Sequence, residues 1–481
     1  MLIVSRLVAR CIDLATLLIL GRLLSPADFG LVAIAMSVIM IVEAVSELPV
    51  GQALVRLPVL TTAHYDTAFT LGLLRGLGVA LILLILSWPL AKIYGDDRLI
   101  ALICALGIAP ATRSLASARM IDFVKKLDFR RNLICEFVGK SAAFTVSVSL
   151  AWETGSYWAI AAGTIAAPIA ADVASYFLAP HRPRLTLREW REFGGFLGWS
   201  TASQAINALN WQMEQLLLGR FISRAELGRF SMAANLAVLP TQVIVLQVLF
   251  PLTVAFSLIR HDSRRLADAY RNSAITAVAA GLPMMVGMSI IAEPMIRLIL
   301  GEQWVESAPS LRWLALAAIP LLFVAPFAAL AMALSRTKLF LRLSLIEFFF
   351  KLPLLFVGAI YFGVAGVLVT RLATAVVTAG CSMWVVRDMI GLTVRSQVFG
   401  PWRSILSAII MALTIVPFGT WLSVTTDAGS LALGLAAVVG LAAVVYASSI
   451  FLLWRLAGCP PGFELKIATF LHRYAAVERE S

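Results

Sequence analysis

Charge is scarce in this chain. Asp, Glu, Lys and Arg make up 14% of its 481 residues, against about 25% in a soluble globular domain. Histidine is scarcer still. His64, His181, His261 and His472 all fall outside the apolar stretches, so no imidazole is placed inside a membrane for acyl-transfer chemistry. The five cysteines, Cys11, Cys104, Cys135, Cys381 and Cys459, form no C-x-x-C pair. They are read as small buried hydrophobes, with neither a disulfide nor a zinc site. There is no G-x-x-x-x-G-K-[ST] loop to cradle a nucleotide. No polar stretch between apolar runs is long enough to fold as a domain, and no small-residue cleavage site follows the first apolar run, so no cleavable signal peptide is expected. These absences exclude a soluble enzyme, a nucleic-acid-binding protein and a secreted disulfide scaffold. No cofactor and no metal site is expected.

What the chain has in excess is apolar length. Sixty per cent of its residues are apolar and its mean hydropathy is +0.90. Runs long enough for a membrane helix of about 20 residues recur at 2–24, 29–50, 66–91, 98–118, 133–152, 156–178, 194–218 and 226–256. They continue at 273–299, 309–334, 339–361, 364–386, 402–424 and 430–455. Barrel strands would instead be about 10 residues of alternating polarity. The pattern predicts an all-α integral membrane protein of about fourteen transmembrane spans, numbered 1 to 14 below.

The net charge of +12 is a matter of placement. If the N-terminus is cytoplasmic, the inner loops are 51–65, 119–132, 179–193, 257–272, 335–342, 387–403 and the tail. Those hold twenty-four of the 39 basic residues, whereas the outer loops hold six: Arg22, Lys92, Arg98, Arg220, Arg224 and Arg229. This is the positive-inside bias, and it predicts both termini in the cytoplasm. Segments 119–132 and 462–475 mix basic and apolar residues, and both are expected to form interfacial amphipathic helices. Asp96 and Asp97 are read as a solvated outer-loop pair.

An internal repeat is visible. LILGRLLSPADFG at 18–30 matches LLLGRFISRAELG at 216–228, at a constant offset of 198 residues. Ser25 and Ser223 stand three residues before Asp28 and Glu226, the spacing of a capping box. Pro26 falls at the first helical position, where its missing N–H costs nothing. Gly21 and Gly219 are expected to permit the tight exit of the preceding helix. Six spans per period make the two halves parallel repeats. The expected organisation is an N-terminal six-helix lobe at 1–178, a cytoplasmic linker at 179–193 and a C-terminal six-helix lobe at 194–388. Two additional helices follow at 389–456, and then an amphipathic tail at 457–481.

The segments GRLLSPADFG, GRFISRAELG and KLDFRR resemble the polysaccharide transport family. Its members are flippases of lipid-linked O-antigen and exopolysaccharide units, in a superfamily with multidrug exporters and the lipid II flippase. The resemblance implies two lobes facing each other across a central cavity lined by spans 1, 2, 7 and 8, and alternating access. Family members carry a short cytoplasmic leader, whereas span 1 here begins at Met1, which points to a start further upstream.

Ionisable residues inside a membrane are costly and default to functional hypotheses. Span 1 carries Arg6, Arg10 and Asp13 on one face, and span 2 carries Glu43 and Glu47 on one face. Arg10 and Glu43 are equidistant from the intervening turn, as are Arg6 and Glu47, so each pair is expected at equal depth. Two readings stand: salt bridges stitching the hairpin, or a charged cavity wall whose arginines meet a diphosphate. Span 7 has Ser203, Asn207, Asn210 and Glu214. Span 8 has Ser231, Asn235 and Gln242. This mostly uncharged wall suits sugar hydroxyls or interhelical hydrogen bonds. Glu136 with Lys140, Glu293 with Arg297, and Glu347 with Lys351 are expected to neutralise each other within a helix. Arg75, Arg113, Asp172, Arg312 and Arg371 stand singly, and a guanidinium suits phosphate oxygens.

The expected function is a flippase moving an undecaprenyl-diphosphate-linked oligosaccharide from the cytoplasmic to the periplasmic leaflet of a bacterial inner membrane. Its expected partners are the lipid-linked sugar and the glycosyltransferases and polymerase of the same pathway, with no nucleic acid. The carrier and direction come from the resemblance. The rivals are a cation-coupled multidrug exporter, whose cavity would favour acids, and a membrane-embedded polysaccharide polymerase or acyltransferase. A polymerase would show a substantial periplasmic loop.

Overall fold

A computed structural model of the chain describes residues 2–48, 50–57, 59–126, 128–190, 197–242, 251–425 and 427–459; for residues 2–7, 52, 56, 197–203, 337, 340 and 424 it describes the backbone alone. No strand occurs among the described residues. The chain divides into two compact units, residues 1–231 with 355–367 and residues 232–354 with 368–481.

The first unit begins with α1 (Leu2–Leu23), α2 (Pro26–Val45), the short α3 (Val50–Arg56) and the 33-residue α4 (Thr62–Tyr94). There follow α5 (Arg98–Leu106), α6 (Ile108–Arg113), α7 (Ile121–Lys125), α8 (Arg130–Thr154), α9 (Trp158–Leu178) and α10 (Leu197–Phe221). Helix α11 (Arg224–Pro240) carries the chain into the second unit. In membrane the apolar tails of lipid compete with leucine, so helices associate where small residues let backbones approach. The α8–α9 hairpin shows this. It turns at Gly155, whose φ of 57° favours glycine. A Cβ on Gly139 would lie 2.8 Å from the Ala167 carbonyl oxygen, and one on Gly163 would lie 2.9 Å from that of Ala143. Leu31, Ile34 and Ala35 of α2 are fully buried, as are Leu99, Leu102 and Ile103 of α5.

The second unit holds α12 (Leu252–Leu258), α13 (Ser263–Ile290), α14 (Ala292–Ile299), α15 (Ala308–Leu322) and α16 (Phe327–Ala333). It continues with most of α17 (Thr337–Ile390), then α18 (Val394–Phe399), α19 (Trp402–Val424) and α20 (Ala428–Leu456). One core gathers Phe256, Tyr270, Leu330 and Val386. Another gathers Met411, Ile415, Leu422 and Leu431 where α19 meets α20. The 54-residue α17 is two helices joined at Gly363, whose φ of 55° and ψ of −131° no helix tolerates. That break falls between the expected spans 11 and 12. Among the described residues nine helices, or ten counting one bent pair, are long and apolar enough to cross a membrane. Many present bare apolar faces: only 11% of the most apolar window is buried in α8 and in α20. The all-helical membrane architecture is therefore as expected.

Some local expectations are corrected. The cysteines are not buried: Cys11 and Cys459 are exposed and the other three half-buried. On a membrane helix an apolar neighbourhood marks a lipid-facing side as readily as a core. Segment 119–132 is not one amphipathic helix. A 3-10 turn and the five-residue α7 end at Lys125, whose ammonium bonds the Leu57 carbonyl 2.5 Å away, and α8 starts at Arg130. Asp96 is not merely solvated. It pairs with Arg98 at 2.9 Å and lies 3.7 Å from Arg224, and the Arg98 hydrogen bond holds its carboxyl below the ordinary range. Segment 462–475 lies outside the described residues.

Candidate functional site

Charges gather in the first unit on α1, α2, α6 and α8. Lys140 of α8 pairs closely with Asp13 of α1, and Arg10 lies 3.9 Å from the same carboxylate. Glu136, one turn from Lys140, is also 3.9 Å away. Nearer the end of α2, Glu43 accepts from Arg113 of α6 at 3.0 Å. These side chains stay open: Arg10 is 53% exposed, Arg113 57% and Asp13 43%. A charge that faces outward from the middle of a membrane helix needs water beside it and not hydrocarbon. The arrangement is a mixed-sign wall: its guanidinium forks suit an anion, and its carboxylates keep the bases in place.

The expected pairing of Arg10 with Glu43 is overturned, because Glu43 turns to α6. The backbone alone is described for Arg6, so its pairing with Glu47 lies outside the described side chains. The principal partner of Lys140 is Asp13 on another helix, with Glu136 second. Glu293 does meet Arg297, at 3.3 Å. Arg75 is not a cavity base. Its guanidinium donates to the carbonyls of Ser46 at 2.9 Å and Glu43 at 3.3 Å, closing the C-terminal end of α2. Arg312 likewise donates to the Ser289 carbonyl at 3.2 Å, near the end of α13. Replacing Arg75 with methionine removes two charge-assisted bonds and is expected to cost about 2 kcal/mol. A lowered thermal midpoint of the purified protein is the measurement.

The polar stripe of spans 7 and 8 is partly closed in. Asn210 and Glu214 are buried at 4% and 3% exposure, Ser231 is buried, Asn207 and Gln242 are half-buried, and Asn235 is exposed. Ser203 is described by backbone alone. The bond that ties this wall to α2 is one that sequence reasoning missed: Ser37 donates to Gln215 at 2.8 Å. Arg113 and Lys140 were visible as intramembrane charges, but nothing in the sequence says which helix they face. Asp172 on α9 is buried, and its Oδ2 finds no hydrogen-bond partner among the described residues.

The two copies of the repeat form the same turn. Ser25 and Asp28 exchange both capping-box bonds at 3.2 Å. Ser223 and Glu226 do so at 3.0 and 3.2 Å. Gly21 and Gly219 prove not to be exits. Both lie within the last turn of a helix, and Ile34 packs over Gly219, 3.0 Å from where a Cβ would stand. The close approach is made by the other repeat glycines. A Cβ on Gly30 would lie 1.9 Å from the Arg224 carbonyl oxygen and one on Gly228 would lie 1.8 Å from that of Pro26, with each glycine next to the other's amide nitrogen. Pro26 and Arg224, like Gly30 and Gly228, are equivalent repeat positions, so α2 and α11 cross about a local two-fold. Arg224 anchors the crossing through the carbonyls of Gly219 at 2.6 Å and Tyr94 at 2.5 Å.

The profile of the family described as polysaccharide biosynthesis protein matches residues 19–309. The succinoglycan biosynthesis transport protein ExoT of Rhizobium meliloti is 25% identical over 305 residues, 63% of this chain and 61% of its own. The match thus spans less than two thirds of that relative's length. The lipopolysaccharide biosynthesis protein WzxC of Escherichia coli is 22% identical over 404 residues, 81% of this chain and 80% of its own. Among solved structures, the lipid II flippase MurJ in an inward closed conformation superposes with a TM-score of 0.70 at 13% identity, covering 94% of this chain and 98% of that one. An inward-facing multidrug-resistance MATE transporter gives 0.61 at 14% identity, over 80% and 95%. With more than half of its length matched by the family profile, this multi-pass membrane chain belongs to the polysaccharide biosynthesis protein family.

Proposed function

We propose that the chain is a flippase that moves an undecaprenyl-diphosphate-linked oligosaccharide from the cytoplasmic to the periplasmic leaflet of a bacterial inner membrane. The observation that carries this reading is the mixed-sign wall of Arg10, Asp13, Lys140, Glu43 and Arg113, in which Arg10, Asp13 and Arg113 stay open. Such a wall offers forked donors to a diphosphate and acceptors to sugar hydroxyls, and an apolar cargo would gain nothing from it. The names of ExoT and WzxC agree with a role in polysaccharide export. Both termini are cytoplasmic in this reading, on the strength of the basic-residue bias. Two lobes at 1–178 and 194–388 work by alternating access, and the glycosyltransferases and polymerase of the same pathway stand before and after this step.

Deletion of the gene tests it. Lipid-linked oligosaccharide should accumulate on the cytoplasmic side and surface polysaccharide should fall, with sensitivity to cationic dyes unchanged. Normal polysaccharide with raised dye sensitivity would transfer the assignment to a multidrug exporter.

A further inference from the structure

A second polar site lies in the first unit, apart from the charged wall. A cavity of about 690 Å³ opens where residues 180–188 pass the N-terminal end of α4, and four arginines line it: Arg119, Arg182, Arg184 and Arg188. All four are exposed. The chain is held there by its backbone. Asp66, Thr67 and Thr70 of α4 accept the backbone N–H groups of Glu189, Arg184 and Thr186: Asp66 from Arg184 at 3.1 Å, Thr67 from Glu189 at 3.4 Å and Thr70 from Thr186 at 3.0 Å. Pinning the backbone leaves the arginine side chains to point outward. The one carboxylate in the lining, Asp66, accepts the Arg184 N–H and has His181 Nε2 3.2 Å away, and both Asp66 and His181 are buried. Arg188 has Glu189 at 4.0 Å, while among the described residues no carboxylate is within ion-pair distance of Arg119, Arg182 or Arg184.

Four guanidiniums around one cavity call for an anion with several oxygens, and the positive end of the long α4 helix adds to that field. The surroundings say where the anion comes from. Leu185 and Trp190 on the same segment are 71% and 54% exposed, and α4 beyond the cavity presents Leu74, Leu77 and Leu81 outward. Basic residues beside an exposed tryptophan and leucine at the end of a membrane span are the composition of a headgroup-level contact. We propose that this cavity binds the phosphate of an anionic membrane lipid. On the orientation proposed above, that lipid belongs to the cytoplasmic leaflet. The binding does not depend on the flippase reading.

The test uses the full-length protein, purified in detergent, stripped of lipid and titrated with phosphatidylglycerol or phosphatidylethanolamine under native mass spectrometry. Wild type should retain phosphatidylglycerol in preference to phosphatidylethanolamine. The combined variant Arg182→Ala, Arg184→Ala and Arg188→Ala should bind it on the order of a hundredfold more weakly, each surface arginine being worth about fivefold. The same three changes to lysine should fall between, since the charge stays and the fork is lost. If the triple alanine variant fails to accumulate, Arg182→Glu alone carries the test, with a loss of at least about fivefold. Equal phosphatidylglycerol retention by a variant and wild type would overturn the site. Displacement of the lipid by millimolar inorganic phosphate would overturn the lipid as its occupant.

Discussion

Replacing Gly30 with alanine is expected to abolish transport, and adding Gly228→Ala to it is expected to make matters no worse. A methyl group on either residue lands within 2 Å of a backbone carbonyl oxygen of the opposite helix. No rotamer relieves that contact, because both partners are main chain. The α2–α11 crossing must open, which costs typically 1–3 kcal/mol for overpacking and more where backbone has to move. The two clashes sit at one crossing about a local two-fold, so the displacement forced by the first methyl also makes room for the second. The losses should therefore be strongly non-additive. Protein level in the membrane and surface polysaccharide are the two measurements. Gly78→Ala is the control: nothing lies within 4 Å of its Cβ position, and an unobstructed Gly→Ala change in a helix gains up to about 1 kcal/mol of propensity. Additive losses from Gly30→Ala and Gly228→Ala would show that the two glycines serve separate contacts.

Exchanging the charges of Glu43 and Arg113 is expected to restore what either single reversal destroys, whereas exchanging Glu43 with Arg10 is not. Glu43→Arg alone puts a cation opposite Arg113, which now sits 3.0 Å from the Glu43 carboxylate, and should lower the protein level sharply. Glu43→Arg with Arg113→Glu re-forms the pair with opposite polarity and should recover the level. Glu43→Arg with Arg10→Glu leaves Arg113 facing a cation and puts an acid beside Asp13, so it should do worse than the single change. Arg10 behaves differently because it is half exposed and its contact with Asp13 is long. Arg10→Ala should insert normally and lose at least tenfold in transport, the worth of one charge-assisted contact to a phosphate at about 1.5–3 kcal/mol. Full transport from Arg10→Ala would remove it from the substrate wall. A wild-type level from the Arg10–Glu43 exchange would restore the hairpin pairing that the structure replaces.

Much of this protein was legible from its sequence, and for a common reason. The positions of the apolar runs, the break near residue 363 and the capping boxes at Ser25 and Ser223 all depend on residues close together in the chain. Period and local chemistry therefore report them directly. The 198-residue repeat was legible because it copies such a local unit. Direction around the helix axis was not. Each residue turns a helix by about 100°, and only neighbouring helices decide which way a given face looks. Glu43 and Arg10 stand equally far from the turn in sequence, yet Glu43 faces α6 and Arg10 stays with Asp13. For the same reason Lys140 meets α1 in preference to its own helix, and Arg75 closes the end of α2 instead of lining a cavity. None of the five cysteines is fully buried, because an apolar stretch of a membrane helix need not face a core. The Gly30–Gly228 crossing belongs wholly to tertiary structure. Both glycines stood in the repeat motif, but only the packing of α2 on α11 shows that they meet, because a shared sequence position carries no distance.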